Sequence, residues 1–184
     1  MKLATRTLFV AAAAAALFTA PAFAQKTTQT AMGKGGSAHV KSEWTVGGAN
    51  VVITYGKPSL KGRSESQMMP LGTPWRTGAD EATVITTDKM LHFGSVMLKP
   101  GSYTINTVPG EKEWQIVFGT LKAPGQWGVP YQKDLELSRA PMKLGKTKAA
   151  VEQVTYSIDP SGKGGTLRIE WGTVSVATPF TVGS

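Results

Sequence analysis

The chain has no cysteine and only two histidines, His39 and His92. No disulfide can staple the fold. No second His or Cys stands at ligand spacing from either histidine, so no structural zinc or paired-histidine metal site is expected, and no cofactor is implied. There is no Asp-rich calcium loop, no Gly-x-Ser-x-Gly elbow and no RNA-binding signature. Two glycine strings, Gly33-Lys34-Gly35-Gly36-Ser37 and Gly162-Lys163-Gly164-Gly165, look like phosphate loops but lack the required spacing. No repeat of fixed period is visible. Past the first 24 residues no apolar run approaches the ~20 residues of a spanning helix, so no transmembrane segment is expected there.

What is present begins with an export pattern. Lys2 and Arg6 precede an apolar run from Leu8 to Phe18, Pro21 breaks any helix, and Ala22-Phe23-Ala24 fits a small-x-small cleavage box. Residues 1–24 therefore read as a signal peptide of bacterial type, cleaved after Ala24. The expected location is periplasmic, with free secretion as the second choice. An exported chain is also not expected to meet nucleic acid. Of the formal charge of +8, Lys2 and Arg6 contribute two, which leaves +6 on the exported part. A basic balance of that size favours solubility first and peripheral contact with an anionic membrane surface second.

Residues 25–39 are rich in Thr, Gln, Gly, Ser and Lys, and are expected to be a flexible tether. From residue 40 onward the dominant period is two. Val51, Ile53 and Tyr55 share a face, as do Tyr103, Ile105 and Thr107, then Trp114, Ile116 and Phe118, then Val154, Tyr156 and Ile158, then Leu167, Ile169 and Trp171. Thr83–Thr87 is a β-branched strand candidate, Leu135 and Leu137 suggest a short strand, and Gly94 suggests a hairpin turn. The best helix candidate, Lys146–Gln153, is short and poorly capped. The pattern predicts an all-β, single-domain antiparallel β-sandwich over 40–184, with a jelly-roll-like fold or a distorted barrel as alternatives.

Two stretches lack periodicity, 56–82 and 119–132, and long loops on a sheet scaffold are where function concentrates. The first holds Lys61, Arg63, Trp75, Arg76, Asp80 and Glu81; the second holds Trp127. Arginine offers a planar fork of donors for a carboxylate or phosphate, and an exposed tryptophan can stack a sugar ring. Two arrangements suit these residues. In one, Arg76 binds an anionic or sugar group and Glu81 or Asp80 serves as acceptor or base. In the other, which is preferred, Arg76 pairs internally with a carboxylate and pins the loop. Arg76→Ala should then destabilise the domain markedly. If residues 80 and 81 are extended, their side chains point to opposite faces and cannot line one site. Trp75 and Trp127 are either stacking platforms or buried loop anchors, and Lys61 and Arg63 either add charge to the loop or face solvent.

The run Trp75-Arg76-Thr77-Gly78-Ala79-Asp80-Glu81-Ala82-Thr83, with Gly56-Lys57-Pro58, Lys99-Pro100-Gly101 and Gln126-Trp127-Gly128, resembles a family of exported bacterial proteins known as a domain of unknown function, the family numbered 2911. The resemblance covers roughly residues 40–180. Lys57 stands where the family often has Arg, and Asp80 where it often has Asn. The resemblance implies a shared fold and an envelope location, and it carries no activity. The preferred function is a non-catalytic domain that binds a small molecule, glycan or envelope component. The alternative is a hydrolase or lyase acting on an envelope polymer, with Glu81 or Asp80 as base and Arg76 as stabiliser. A purely structural or chaperone-like role is the third reading.

Overall fold

A computed structural model describes residues 25–183. The expected signal peptide lies outside the described residues. Within them the fold is all-β: β1 (Lys26–Met32), β2 (Ala38–Val46), β3 (Ala49–Lys57), β4 (Thr83–Thr87), β5 (Leu91–Phe93), β6 (Val96–Leu98), β7 (Gly101–Val108), β8 (Glu113–Thr120), β9 (Glu136–Ser161) and β10 (Gly164–Val182). The antiparallel all-β expectation holds. All ten strands join one continuous open sheet, in the order β1-β2-β3-β4-β7-β8-β9-β10-β5-β6. The sheet curls over a shared core, and the chain just after β3 meets β9: Leu60 N–H donates to the Glu152 carbonyl at 3.0 Å, and Val154 N–H to that of Pro58 at 3.2 Å.

The alternating residues fill that core. Ile53, Ile85, Ile105, Ile116, Phe118, Tyr156, Leu167 and Trp171 are all buried. Trp44, which the pattern leaves unplaced, is buried on β2. In β10 the buried set switches parity, from Leu167, Ile169 and Trp171 to Val176, Thr178 and Phe180. A register shift at Gly172 causes the switch: Gly172 pairs with Val151 while Val174 pairs with Lys146, and Gly172 has φ 61°. Between the Glu170–Thr155 and Val174–Lys146 pairs β10 advances four residues and β9 nine, so the extra residues sit in β9, and at Gly172 β10 twists and turns its later side chains to the other face. Gly172-Thr173 is therefore an irregularity within one strand.

Three local expectations are corrected. Residues 26–32, expected within the flexible tether, form β1 along the edge of β2, with Lys26 opposite Glu43 and Met32 opposite Ala38. Every residue of β1 is exposed, so backbone pairing and the Thr27 and Thr30 hydroxyl bonds to Ser42 and the His39 carbonyl order it, and no hydrophobic alternation marks it. Lys146–Gln153 is strand, because pairing with β10 overrides the weak helical preference of Ala149 and Ala150. Leu135 sits in a 3₁₀ turn (Lys133–Leu135), and Leu137 is exposed at the start of β9.

The 56–82 loop contains one short helix, α1 (Glu65–Met68). Ser64 and Gln67 cap it reciprocally, with the Gln67 N–H on the Ser64 hydroxyl and the Ser64 N–H on the Gln67 side chain. The Glu65 carboxylate accepts from the Thr173 backbone N–H and from its hydroxyl. This contact straps the loop across the register shift in β10, beside Trp171. No helix of the described residues is long and apolar enough to cross a membrane.

Candidate functional site

The Trp75–Thr83 run is anchored at both ends. Trp75 and Thr107 exchange two backbone hydrogen bonds of 2.8 Å, so the run docks on β7 just beyond the end of its pairing with β4. The Trp75 ring stacks on Trp171 at 5.3 Å and meets Trp114 edge-on at 6.4 Å. Thr77 follows with φ 55°, a conformation a β-branched residue adopts only under compulsion. The compulsion is visible. Thr77 is wholly buried, its hydroxyl donates to the Trp75 carbonyl at 3.0 Å, and its own carbonyl accepts from Tyr156 at 3.0 Å and Thr83 at 3.2 Å. Burial pushes the Tyr156 hydroxyl well above its ordinary range, which keeps it a donor.

Asp80 is the second non-glycine residue of this run with positive φ, at 62°. Aspartate and asparagine accept that conformation most readily, which fits the asparagine that the resembled family often carries there. The left-handed turn aims the Asp80 carboxylate at His39, with Oδ2 3.0 Å from Nε2. Glu81 approaches the other ring nitrogen: Oε2 lies 3.1 Å from Nδ1. That second contact is an ion-pair distance without hydrogen-bond alignment, and Oε2 is buried with no hydrogen-bond partner. The imidazole thus stands between two acids. Gly33, in the β1–β2 loop, presses so closely on this group that any side chain there would collide with the Asp80 carboxylate and the His39 ring. Asp80→Asn is expected to cost about 1 kcal/mol, the net worth of one hydrogen bond. Asp80→Ala is expected to cost about 2–3 kcal/mol, because an alanine adds left-handed strain of ~1–2 kcal/mol. Urea-denaturation midpoints of the two variants check this, and equal losses would mean that the turn is unstrained.

Arg76 departs from the preferred expectation. Among the described residues no carboxylate lies within ion-pair distance of its guanidinium. Nε donates to the Gly78 carbonyl at 3.1 Å, and Nη1 reaches only 3.5 Å from the Asp80 carbonyl. The internal Arg–carboxylate pair does not form because the turn at Asp80 sends both acids to His39. Arg76 instead lines a cleft of about 460 Å³ with Arg63, Trp75, Asp80, Trp171 and Ser37. Arg63 is exposed there, with Nε on the Leu60 carbonyl at 2.9 Å and Nη2 on that of Ser59 at 2.6 Å.

The other singled-out residues lie elsewhere. Lys61 is exposed, and its backbone N–H bonds Glu152 at 2.8 Å. Glu81 lines a separate groove with His39, so the two neighbouring acids line different cavities although Asp80 is left-handed rather than extended and both carboxylates approach His39. Trp127 is half exposed over a third pocket beside Tyr131 and Glu136, and is tied to the run through a backbone bridge to Glu81. Sequence reasoning missed His39 and Trp171 as site residues. A histidine in a polar segment carries no periodic signal, and Trp171 reads simply as core.

A charge cluster braces the second loop. Arg139 grips Glu136 with Nε at 2.7 Å and Nη2 at 2.8 Å, Lys133 adds a bond of 2.6 Å, and the Tyr131 hydroxyl donates to the same carboxylate. The Arg139 bonds, with those from Lys133 and Tyr131, hold Glu136 well below the usual carboxylate range. Burial, with the Glu136 bond, pushes Tyr131 up to about 12. The lowered Glu136 stabilises the native state above the ordinary carboxylate range, and that contribution fades as the medium is acidified below about pH 4.5. The raised Tyr131 contributes fully below about pH 10 and loses its contribution as pH climbs toward about 12. Glu136→Gln is expected to cost about 2 kcal/mol at neutral pH and to flatten the acid limb of a thermal-melting profile. An acid limb identical to wild type would place the pH sensitivity elsewhere.

Fold and cleft together define an all-β domain built on one curled antiparallel sheet, with an arginine- and tryptophan-lined cavity under a strapped loop. The chain belongs to the family described as a protein of unknown function (DUF2911), whose model matches residues 37–180. No curated protein and no solved structure matches the chain.

Proposed function

We propose that the protein is an exported cell-envelope domain that binds an anionic group of a small molecule or glycan in the Arg76 cleft, without acting chemically on it. One observation carries this reading: Arg76 has no carboxylate partner among the described residues, yet lines an open cavity beside the aromatic faces of Trp75 and Trp171. A half-buried guanidinium with unused donors suits a carboxylate or phosphate, and indole faces suit an apolar or sugar ring. The cavity falls within the size range of small-molecule sites. The leader pattern of residues 1–24 supports the envelope location. The hydrolase or lyase alternative has less support, because Asp80 Oδ2 is engaged by His39 and Glu81 faces a different groove from Arg76.

Tryptophan fluorescence of the purified protein, titrated with inorganic phosphate and with glucuronate, tests the reading. A saturable change with at least one of the two, with millimolar or tighter Kd, is the expected result. A flat response to both would sink it. Slow release of a cleaved product from a polymeric substrate would move the assignment to the enzyme.

A further inference from the structure

The groove that holds Glu81 lies on the other side of the 79–82 segment from the arginine cleft. It has a volume of about 350 Å³, at the low end of the range for small-molecule sites. Its wall is the outward face of three neighbouring strands: Thr54 from β3, Thr86 from β4 and Ser102 from β7. The pairing register places these side by side, with Thr54 opposite Val84 and Thr86 opposite Ser102. The Thr86 and Ser102 hydroxyls lie 2.8 Å apart and bond each other. The wall includes the partly exposed Glu81 carboxylate, whose Oε2 is buried 3.1 Å from His39 Nδ1. Gln126 stands on the neighbouring segment, its carbonyl accepting from the Ala82 N–H at 2.8 Å, and its side-chain Oε1 is taken by the Lys122 N–H at 2.8 Å, which leaves its amide donors to the groove. Val84, Leu121 and Pro124 supply apolar surface between these polar groups.

Among the described residues no lysine or arginine lines this groove, and its one histidine, His39, is held between Asp80 and Glu81, although the chain as a whole is strongly basic. Anions are therefore not its ligands, in contrast to the cleft of Arg76. What the wall offers is one charged acceptor, a row of hydroxyls able to donate or accept, a free amide donor and aliphatic carbon. That combination matches an uncharged molecule with many hydroxyl groups along one edge and C–H bonds on its flat face. We infer that the groove between Glu81, Thr86, Ser102 and Gln126 is a second binding site, selective for a neutral saccharide of one or two rings. This site does not depend on the anion cleft. The two are separated by the 79–82 segment and linked through His39, which touches Asp80 on one side and Glu81 on the other.

Amide-resolved NMR of the purified protein, titrated with maltose, cellobiose and diacetylchitobiose, tests the inference. At least one disaccharide is expected to give saturable shifts at Thr54, Thr86, Ser102 and the Gln126 side chain, at concentrations up to about 10 mM, tenfold above a millimolar Kd. The double variant Thr86→Val/Ser102→Ala removes the hydroxyls with little change of shape, and is expected to weaken binding at least tenfold. Glu81→Gln serves the same purpose should the double variant fail to fold. Arg76→Ala should leave the saccharide shifts intact, so failure of the anion reading and failure of this one are told apart. Absence of shifts with all three sugars would overturn the site, as would shifts of unchanged affinity in the hydroxyl-deleted or Glu81→Gln protein.

Discussion

Arg76→Ala is expected to lower the melting temperature by only about 2–4 °C while weakening anion binding by about ten- to a hundredfold. The small thermal effect follows from what Arg76 holds. Its one well-formed bond goes from Nε to the Gly78 carbonyl, and a net hydrogen bond contributes about 1 kcal/mol. No buried carboxylate is stranded when the guanidinium leaves, because Asp80 keeps His39. The large binding effect follows from a charge-assisted contact, worth about 1.5–3 kcal/mol when its ligand is seated. This reverses the expectation drawn from residue types alone, in which the same substitution destabilises the domain markedly. Differential scanning calorimetry beside a phosphate titration separates the two. A drop of ten degrees or more would return Arg76 to a structural role.

Trp171→Ala is expected to have the largest effect on stability, about 3–5 kcal/mol, or roughly 10 °C or more in melting temperature. Trp171 is 1 % exposed, its indole N–H donates to the Glu152 carbonyl at 3.0 Å, and its ring carries the stacked Trp75. Removing it opens a cavity in the core and takes the wall from behind the cleft at the same time. Trp171→Phe should recover part of the loss, since a smaller ring still fills much of the site. If Trp171→Ala melted within a few degrees of wild type, the stack would not be what supports the strapped loop, and α1 with its Glu65 bonds to Thr173 would have to carry that role.

The strands were legible because a pleated strand with one buried face imposes a period of two on its own residues. Val51 to Tyr55, Trp114 to Phe118 and Leu167 to Trp171 carry that period, and each lies in the core. β1 was not legible for the complementary reason: it buries no side chain, so nothing selects its composition. The parity switch in β10 was hidden as well, since Gly172-Thr173 looks like a hairpin turn until the pairs Gly172–Val151 and Val174–Lys146 are known. The density of special residues in 75–83 drew attention to that segment, and Arg63, Trp75, Arg76 and Asp80 line one cleft. The pairing within it was misread. A single dihedral, φ 62° at Asp80, decides whether the carboxylate meets Arg76 or His39, and residue types do not reveal that angle.

Alone, the string of amino acids determined the all-β class, the inward faces of most strands and the segment where polar and aromatic groups gather, because these follow from neighbours a few positions apart. Only the tertiary structure decided that His39 stands between two acids, that Arg76 has no carboxylate partner among the described residues, and that Trp171 walls its cavity. Those outcomes join residues tens of positions apart, and distances through space are set by sheet curl, bulges and turns rather than by spacing along the chain.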